Sequence, residues 1–196
     1  MKSDPNEHSL IARAMNKDPS AYRILLTNYN RYAYSIAFKI VRNREDAEEV
    51  VQDSFVKAFK AIRNYTGTGK FSTWFYRIVF NTALTKIRNK RVIMDSLEEL
   101  PHSNFDLEIP NNYPDSFEKL VRRDQADILN RALSILSEAE NLSITLYYIC
   151  ENTISEIETI TGWNSSTIKI RLFRARQKLY AELSKYLKEE IKDISI

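Results

Sequence analysis

Residues 164–179, NSSTIKIRLFRARQKL, carry Lys169, Arg171, Arg174, Arg176 and Lys178 and no acid. Within the same stretch Ile168, Leu172, Ala175 and Leu179 recur at spacings of four, three and four, the mark of a helix with one buried stripe. A surface helix usually mixes signs, because opposite charges one turn apart support it and like charges cost a few tenths of a kcal/mol each. A helix with a buried stripe and unmixed positive flanks suits a polyanion.

The residues just upstream narrow the polyanion to DNA. TISEIETITGWNSSTIKIRL reads as a short helix that stops at Gly162, then a second helix capped by Asn164 or Ser165. Short helix, glycine turn and capped second helix make the helix-turn-helix pattern, whose second helix enters the major groove. On a helical wheel Arg171, Arg174 and Lys178 lie on one side of the apolar stripe, and Lys169 and Arg176 on the other. These flanks reach phosphates on either wall of a groove, while groups near the helix N-terminus, from Ser165, Ser166 and Thr167 onward, read sequence. A merely solvated basic helix is the plain alternative. The turn glycine, the cap and the missing acids together favour DNA.

Two further clusters lie in the first half. Residues 44–62, REDAEEVVQDSFVKAFKAI, carry Val51, Phe55, Ala58 and Ile62 as an apolar stripe and Glu45, Asp46, Glu48, Glu49 and Asp53 outside it. Acids early in a helix suit its dipole, yet five exceed that need, so helix support and a basic protein partner both stand. Residues 63–91 hold Gly67 and Gly69 in a loop, then Phe71, Trp74, Phe75, Tyr76 and Phe80, then Lys86, Arg88, Lys90 and Arg91. Aromatics beside cations suit unpaired bases, since stacking is worth about 1–3 kcal/mol per base. Trp74 and Phe75 are expected in the core; the loop and the basic end are expected to meet nucleic acid.

Catalytic chemistry finds no support. There is no Ser/His/Asp or Cys/His set, and three glycines are too few and too dispersed for a nucleotide cradle. Cys150 is the lone cysteine and His8 and His102 stand apart, so no disulfide, metal site or cofactor is expected. A net charge of +3 says little about the whole chain. Its distribution says more. No apolar run reaches the roughly 18 residues of a membrane span, and MKSDPNEHSLIARAM lacks the apolar core of a signal peptide. The expectation is a cytoplasmic protein with no membrane insertion and no small-molecule substrate.

The elements that position these residues follow from glycine and proline. Long segments free of both, with periodic apolar positions, predict helices at about 6–16, 19–42, 44–62, 71–91, 116–136, 138–150, 154–161 and 165–189. No strand alternation is convincing, so the fold class is all-α. Pro101, Pro110 and Pro114 fall in a stretch from Val92 to Glu118 with seven acids and no Lys or Arg. A structureless stretch of that length belongs between domains. The organisation is therefore two helical domains, 1–91 and 119–196, joined by an acidic, Pro-containing linker, 92–118, with the helix-turn-helix in the second.

Three segments, NREDAEEVVQDSFVKAFKAI, FSTWFYRIVFNTALTKIRNKR and ITGWNSSTIKIRLFRARQKL, resemble in order the characteristic segments of bacterial RNA polymerase sigma factors of the extracytoplasmic-function group. The likeness runs from about Asp18 to Leu183. It implies a transcription initiation factor, not an enzyme, with core RNA polymerase, promoter DNA and an anti-sigma factor as partners. By position, Asp46, Glu49, Gln52 and Asp53 match the surface that docks on the polymerase largest subunit. Asn64 to Lys70, with Gly67 and Gly69, match a loop that captures a base flipped from the minus-ten element. The helix from about Thr73 to Arg91, with Asn81 inside it, matches the minus-ten reader, and 165–179 the minus-thirty-five reader.

Departures from the pattern bear on promoter preference. Glu158 replaces a usual small Ala and must turn outward or find a partner. Glu151 and Asn152 replace a turn glycine, with Asn152 expected to take the positive φ. Ile170 stands where Ser is common, outward with Phe173. The rival reading is a polymerase-independent helix-turn-helix regulator binding duplex DNA as a dimer. It lacks an apolar heptad seam to dimerise through.

Overall fold

The computed structural model describes residues 5–94, 128–129 and 131–194. The expected linker beyond Met94 and most of the helix expected at 116–136 lie outside the described residues. The helices bounded within the described residues are α1 (Pro5–Met15), α2 (Pro19–Val41), α3 (Arg44–Ala61), α4 (Phe71–Met94), α5 (Glu138–Ile144), α6 (Ile154–Thr161) and α7 (Ser165–Ile194), and residues 128–129 and 131–134 are helical as well. No strand occurs among the described residues. The fold is all-α.

Local chemistry sets the helix ends. Asp18 caps α2 by accepting the Ser20 N–H at 2.8 Å, and Pro19 follows at the first helical position, where its missing N–H costs nothing. Asn43 caps α3 from the Asp46 N–H at 2.8 Å. Ser137 with Glu140, and Thr153 with Glu156, form reciprocal capping boxes at α5 and α6. These boxes matter for function, since both glutamates also take a lysine.

In the first domain α2, α3 and α4 pack on one another around Phe55, Phe71, Phe75 and Tyr29. The Phe55 and Phe75 rings meet at 4.6 Å between centroids. Phe75 is fully buried and Trp74 packs partly buried against the core, as expected of both. In the second domain α5 is continued by a π-helical turn, Thr145–Ile149, and α6 and α7 close the core through Ile157, Ile160, Ile168, Leu172 and Ala175. Of the α7 stripe that its spacing predicts, Ile168, Leu172 and Ala175 are buried and Leu179 is half-buried against the same core.

One expectation at the turn before α6 is corrected. Glu151, not Asn152, adopts the left-handed conformation, with φ 52°. Asn152 is buried, and both its backbone N–H (3.0 Å) and its side-chain amide (3.1 Å) donate to the Leu146 carbonyl. The π-turn sends the Cys150 N–H to Thr145, so Asn152 is held inward serving Leu146. The chain reversal falls on its neighbour.

The two domains touch. The α4 helix packs against α6, Phe80 meets Trp163 edge to face (6.2 Å, 88°), and Lys70 pairs with Glu156 at 2.8 Å. Cys150 sits in this junction beside Tyr76, and burial pushes its thiol up to about 12. It is an inert packing group at neutral pH.

Candidate nucleic-acid and polymerase interfaces

The acids of α3 and the cations of α4 are expected to serve different partners, yet the packing brings them together. Lys86 Nζ lies 2.6 Å from Glu49 Oε2 and 3.5 Å from Asp46 Oδ1. One turn on, Lys90 Nζ lies 2.9 Å from Asp46 Oδ2. The hydrogen bond to Glu49 holds the Lys86 pKa above its ordinary value, so the ammonium is firmly charged. Gln52 and Asp53, one turn further along α3, are exposed, as are Arg88 and Asn81 on α4. The Arg91 backbone continues α4, and its side chain lies outside the described atoms.

The loop between α3 and α4 is built on Tyr65. Its buried ring packs on Phe71 (5.5 Å) and Trp74 (5.7 Å), and its hydroxyl donates to the Gly69 carbonyl. The exposed tip is Thr66–Gly67–Thr68, with Gly67 at φ 76°. A Cβ on Gly67 meets nothing within 4 Å, so backbone conformation and not crowding calls for glycine there. Asn64 and Gly69 are exposed, whereas Lys70, the loop's last residue, is held by Glu156. Burial pushes the Glu156 carboxyl up, but the hydrogen bonds from Lys70 and Thr153 outweigh it and leave it below the usual range.

The helix-turn-helix has the expected form. Gly162 ends α6 at φ 73°, its N–H bonded to the Glu158 carbonyl at 2.8 Å. Glu158 itself is half-buried. Asn164 caps α7, accepting from the Thr167 N–H at 2.8 Å and from the Ser166 hydroxyl at 2.8 Å. Ser165 and Thr167 are half-buried at this end.

The five cations in the first half of α7, residues 165–179, divide into different environments. Lys169, Arg174 and Arg176 are exposed, with the Arg176 guanidinium 3.5 Å from the Tyr148 hydroxyl. Lys178 reaches Glu140 at 2.7 Å, where its hydrogen bond helps hold that carboxyl below the usual range against the burial that raises it. Arg171 is half-buried, its guanidinium 4.0 Å above the Trp163 ring. One of its terminal nitrogens is buried with no hydrogen-bond partner among the described residues. Sequence reasoning did not find Trp163, Glu156 and Glu140 as partners. The signal available was weak: a Trp directly after the turn glycine, and a Glu at the third position of each helix.

An all-α pair of domains, the second a helix-turn-helix with cations along its second helix, defines a DNA-binding protein. Residues 25–92 match Sigma-70 region 2, and residues 126–179 match Sigma-70 region 4, together well over half of the chain. The chain belongs to the sigma-70 family, in its extracytoplasmic-function group. Among its relatives, the RNA polymerase sigma-H factor of Pseudomonas aeruginosa is 27% identical, the match covering 96% of this chain and 100% of that one. The ECF RNA polymerase sigma-E factor of Escherichia coli K12 is 27% identical, over 91% of this chain and 95% of the relative. Solved structures share the fold. The sigma factor RpoE of Bartonella quintana, in complex with the anti-sigma factor NepR, superposes with a TM-score of 0.67 at 21% identity, over 83% of this chain and 96% of that one. CnrH, in complex with the cytosolic domain of CnrY, gives 0.60 at 22%, over 90% and 96%.

No helix among the described residues is long and apolar enough to cross a membrane.

Proposed function

We infer that this chain is a transcription initiation factor that binds core RNA polymerase and directs it to promoters. The observation that carries the reading is the helix-turn-helix itself: a capped α7 whose first half, residues 165–179, holds no acid and presents Lys169 and Arg174 outward while its stripe is spent on the core. The first domain, residues 1–91, docks on polymerase through Asp46, Glu49, Gln52 and Asp53. It reads and melts the minus-ten element through the loop Asn64–Lys70, Asn81 and the basic end Lys86, Arg88, Lys90 and Arg91. The second, 119–196, reads the minus-thirty-five element, and 92–118 tether the two.

The ion pairs give this reading a sequence of events. Asp46 and Glu49 hold Lys86 and Lys90 in the free protein. Docking then exchanges these pairs for polymerase cations, and the freed lysines turn to promoter phosphates. An exchange of this kind costs less than exposing a bare charge, because each group keeps a partner throughout.

The protein contributes binding and strand opening, and the polymerase performs the chemistry. The compartment this implies is the cytoplasm, where polymerase and chromosome meet. The relatives solved with bound partners support an anti-sigma factor as a further partner.

The test is promoter binding and transcription with and without core polymerase. Tight, sequence-specific binding is expected only with core present. A footprint by the purified protein alone over a two-fold symmetric duplex site points instead to a self-sufficient regulator.

A further inference from the structure

Two large apolar side chains stand in the outward side of α7. Ile170 is 49% exposed and Phe173 54%. They lie one turn apart, between the exposed Lys169 and Arg174, and opposite the buried stripe of Ile168, Leu172 and Ala175. That stripe already closes the domain core, so neither residue is needed for folding. The apolar pair is therefore the centre of a surface whose rim is cationic.

The charge around the pair says what covers it. Residues 164–179 contain no acid, so a second copy of the same face is repelled, and an acidic polymer is attracted. In a major groove the edges of the bases offer donors, acceptors and one apolar group, the C5-methyl of thymine. Ser166, one turn before Ile170, has its hydroxyl engaged with Asn164, so the nearest polar reader is partly spent on capping. We propose that Ile170, with Phe173 beside it, reads thymine methyls in the minus-thirty-five element and sets this chain's preference there.

The branching of isoleucine adds precision. A β-branched side chain in a helix keeps one χ1 rotamer, so its methyl groups stand at fixed points above the groove floor. Phe173 is broader and shields the contact from water. The proposal rests on α7 being the minus-thirty-five reader, and it adds the residue and the chemical group through which that reader discriminates.

The experiment uses holoenzyme and a promoter library randomised in the minus-thirty-five element. Each thymine of the selected element is then replaced by deoxyuridine, which removes the methyl and leaves every hydrogen-bonding group in place. Wild-type occupancy is expected to fall about fourfold at one or two positions, the factor that burying one CH₂ group corresponds to. Ile170→Ser is expected to bind thymine and deoxyuridine templates equally at those positions, and Ile170→Val to keep part of the difference. A clear minus-thirty-five preference with no response to deoxyuridine overturns the proposal and leaves the reading of α7 intact. No minus-thirty-five preference at all overturns both. Unchanged promoter selection by Ile170→Ser with a loss of core polymerase binding assigns the face to a protein, which also overturns the proposal.

Discussion

The Lys70 ammonium lies 2.8 Å from the Glu156 carboxylate, joining the last residue of the glycine loop to the first turn of α6. Both side chains are mostly shielded, at 29% and 18% exposure. Glu156 serves two structures at once, because the same carboxylate closes the capping box with the Thr153 N–H at 2.7 Å. Together with Phe80 against Trp163, the pair holds the loop of one domain against the helix-turn-helix of the other. A loop held this way has its cation engaged before DNA arrives.

Glu156→Gln separates these roles, since glutamine also serves in a capping box while carrying no charge for Lys70. The domains are expected to part more readily, read as a larger radius of gyration in solution scattering with helicity unchanged. The pH dependence has a definite sign. The folded-state pKa of Glu156 is depressed, so its contribution is full above the ordinary carboxylate value and disappears as pH falls through the lower folded value. The gap in melting temperature between wild type and Glu156→Gln is therefore expected at neutral pH and absent in acid. A gap that persists in acid means the ion pair is not what the substitution removed.

Much of this was legible in the sequence, and the failures have a common cause. Helix positions, the α7 stripe and the Gly162 stop depend on near neighbours, and periodicity and capping chemistry express them directly. The pairing of Asp46 and Glu49 with Lys86 and Lys90 depends on how α3 and α4 are laid together, which no local spacing encodes. Lys70 with Glu156 spans the two domains and is harder still. The misplaced turn residue was a local error of a different kind: Asn152 is the better left-handed residue by propensity, but the Leu146 carbonyl exposed by a π-turn claimed it. Arg171 stands on a flank expected to reach phosphates, and its contact with Trp163 depends on how the turn folds back over α7, which the helical wheel does not encode.

Asp53 gives the cleanest test of polymerase docking. It is exposed on α3, whereas Asp46 and Glu49 are already paired within the chain. Losing one partner of a close interfacial charge pair costs about 2–5 kcal/mol. Asp53→Arg is expected to abolish capture of core polymerase while leaving the circular dichroism spectrum and melting temperature nearly unchanged. Glu49→Arg is expected to lose capture too, but with a lower melting temperature, because Lys86 loses the nearer of its two carboxylate partners and gains a like charge beside it. Wild-type capture by Asp53→Arg removes this surface from the docking site.

Gly67 tests the loop. At φ 76° any residue with a Cβ is strained, although nothing crowds the position. Gly67→Val is expected to leave promoter recognition in the closed complex and to impair opening. Flipping a base costs a few kcal/mol of unstacking, which the loop must offset. A template mismatched in the minus-ten element removes that cost and is expected to restore transcription. Failure of premelted DNA to rescue the variant means the loop does not capture a base.

Arg171 and Arg174 stand one turn apart on α7 and are expected to fail in different ways. Arg174 is exposed beside the apolar pair, in position for a phosphate. Each phosphate contact contributes about 0.9 to the slope of log affinity against log salt. Arg174→Ala is expected to weaken binding to all minus-thirty-five sequences alike and to flatten that slope by about one. Arg171 lies 4.0 Å over Trp163, a half-buried cation–π contact worth about 1–2 kcal/mol. Arg171→Ala is expected to lower the melting temperature and leave the salt slope unchanged, and Arg171→Lys to recover part of the stability. An equal flattening of the slope in both alanine variants means that Arg171 leaves Trp163 on binding and grips the backbone as Arg174 does.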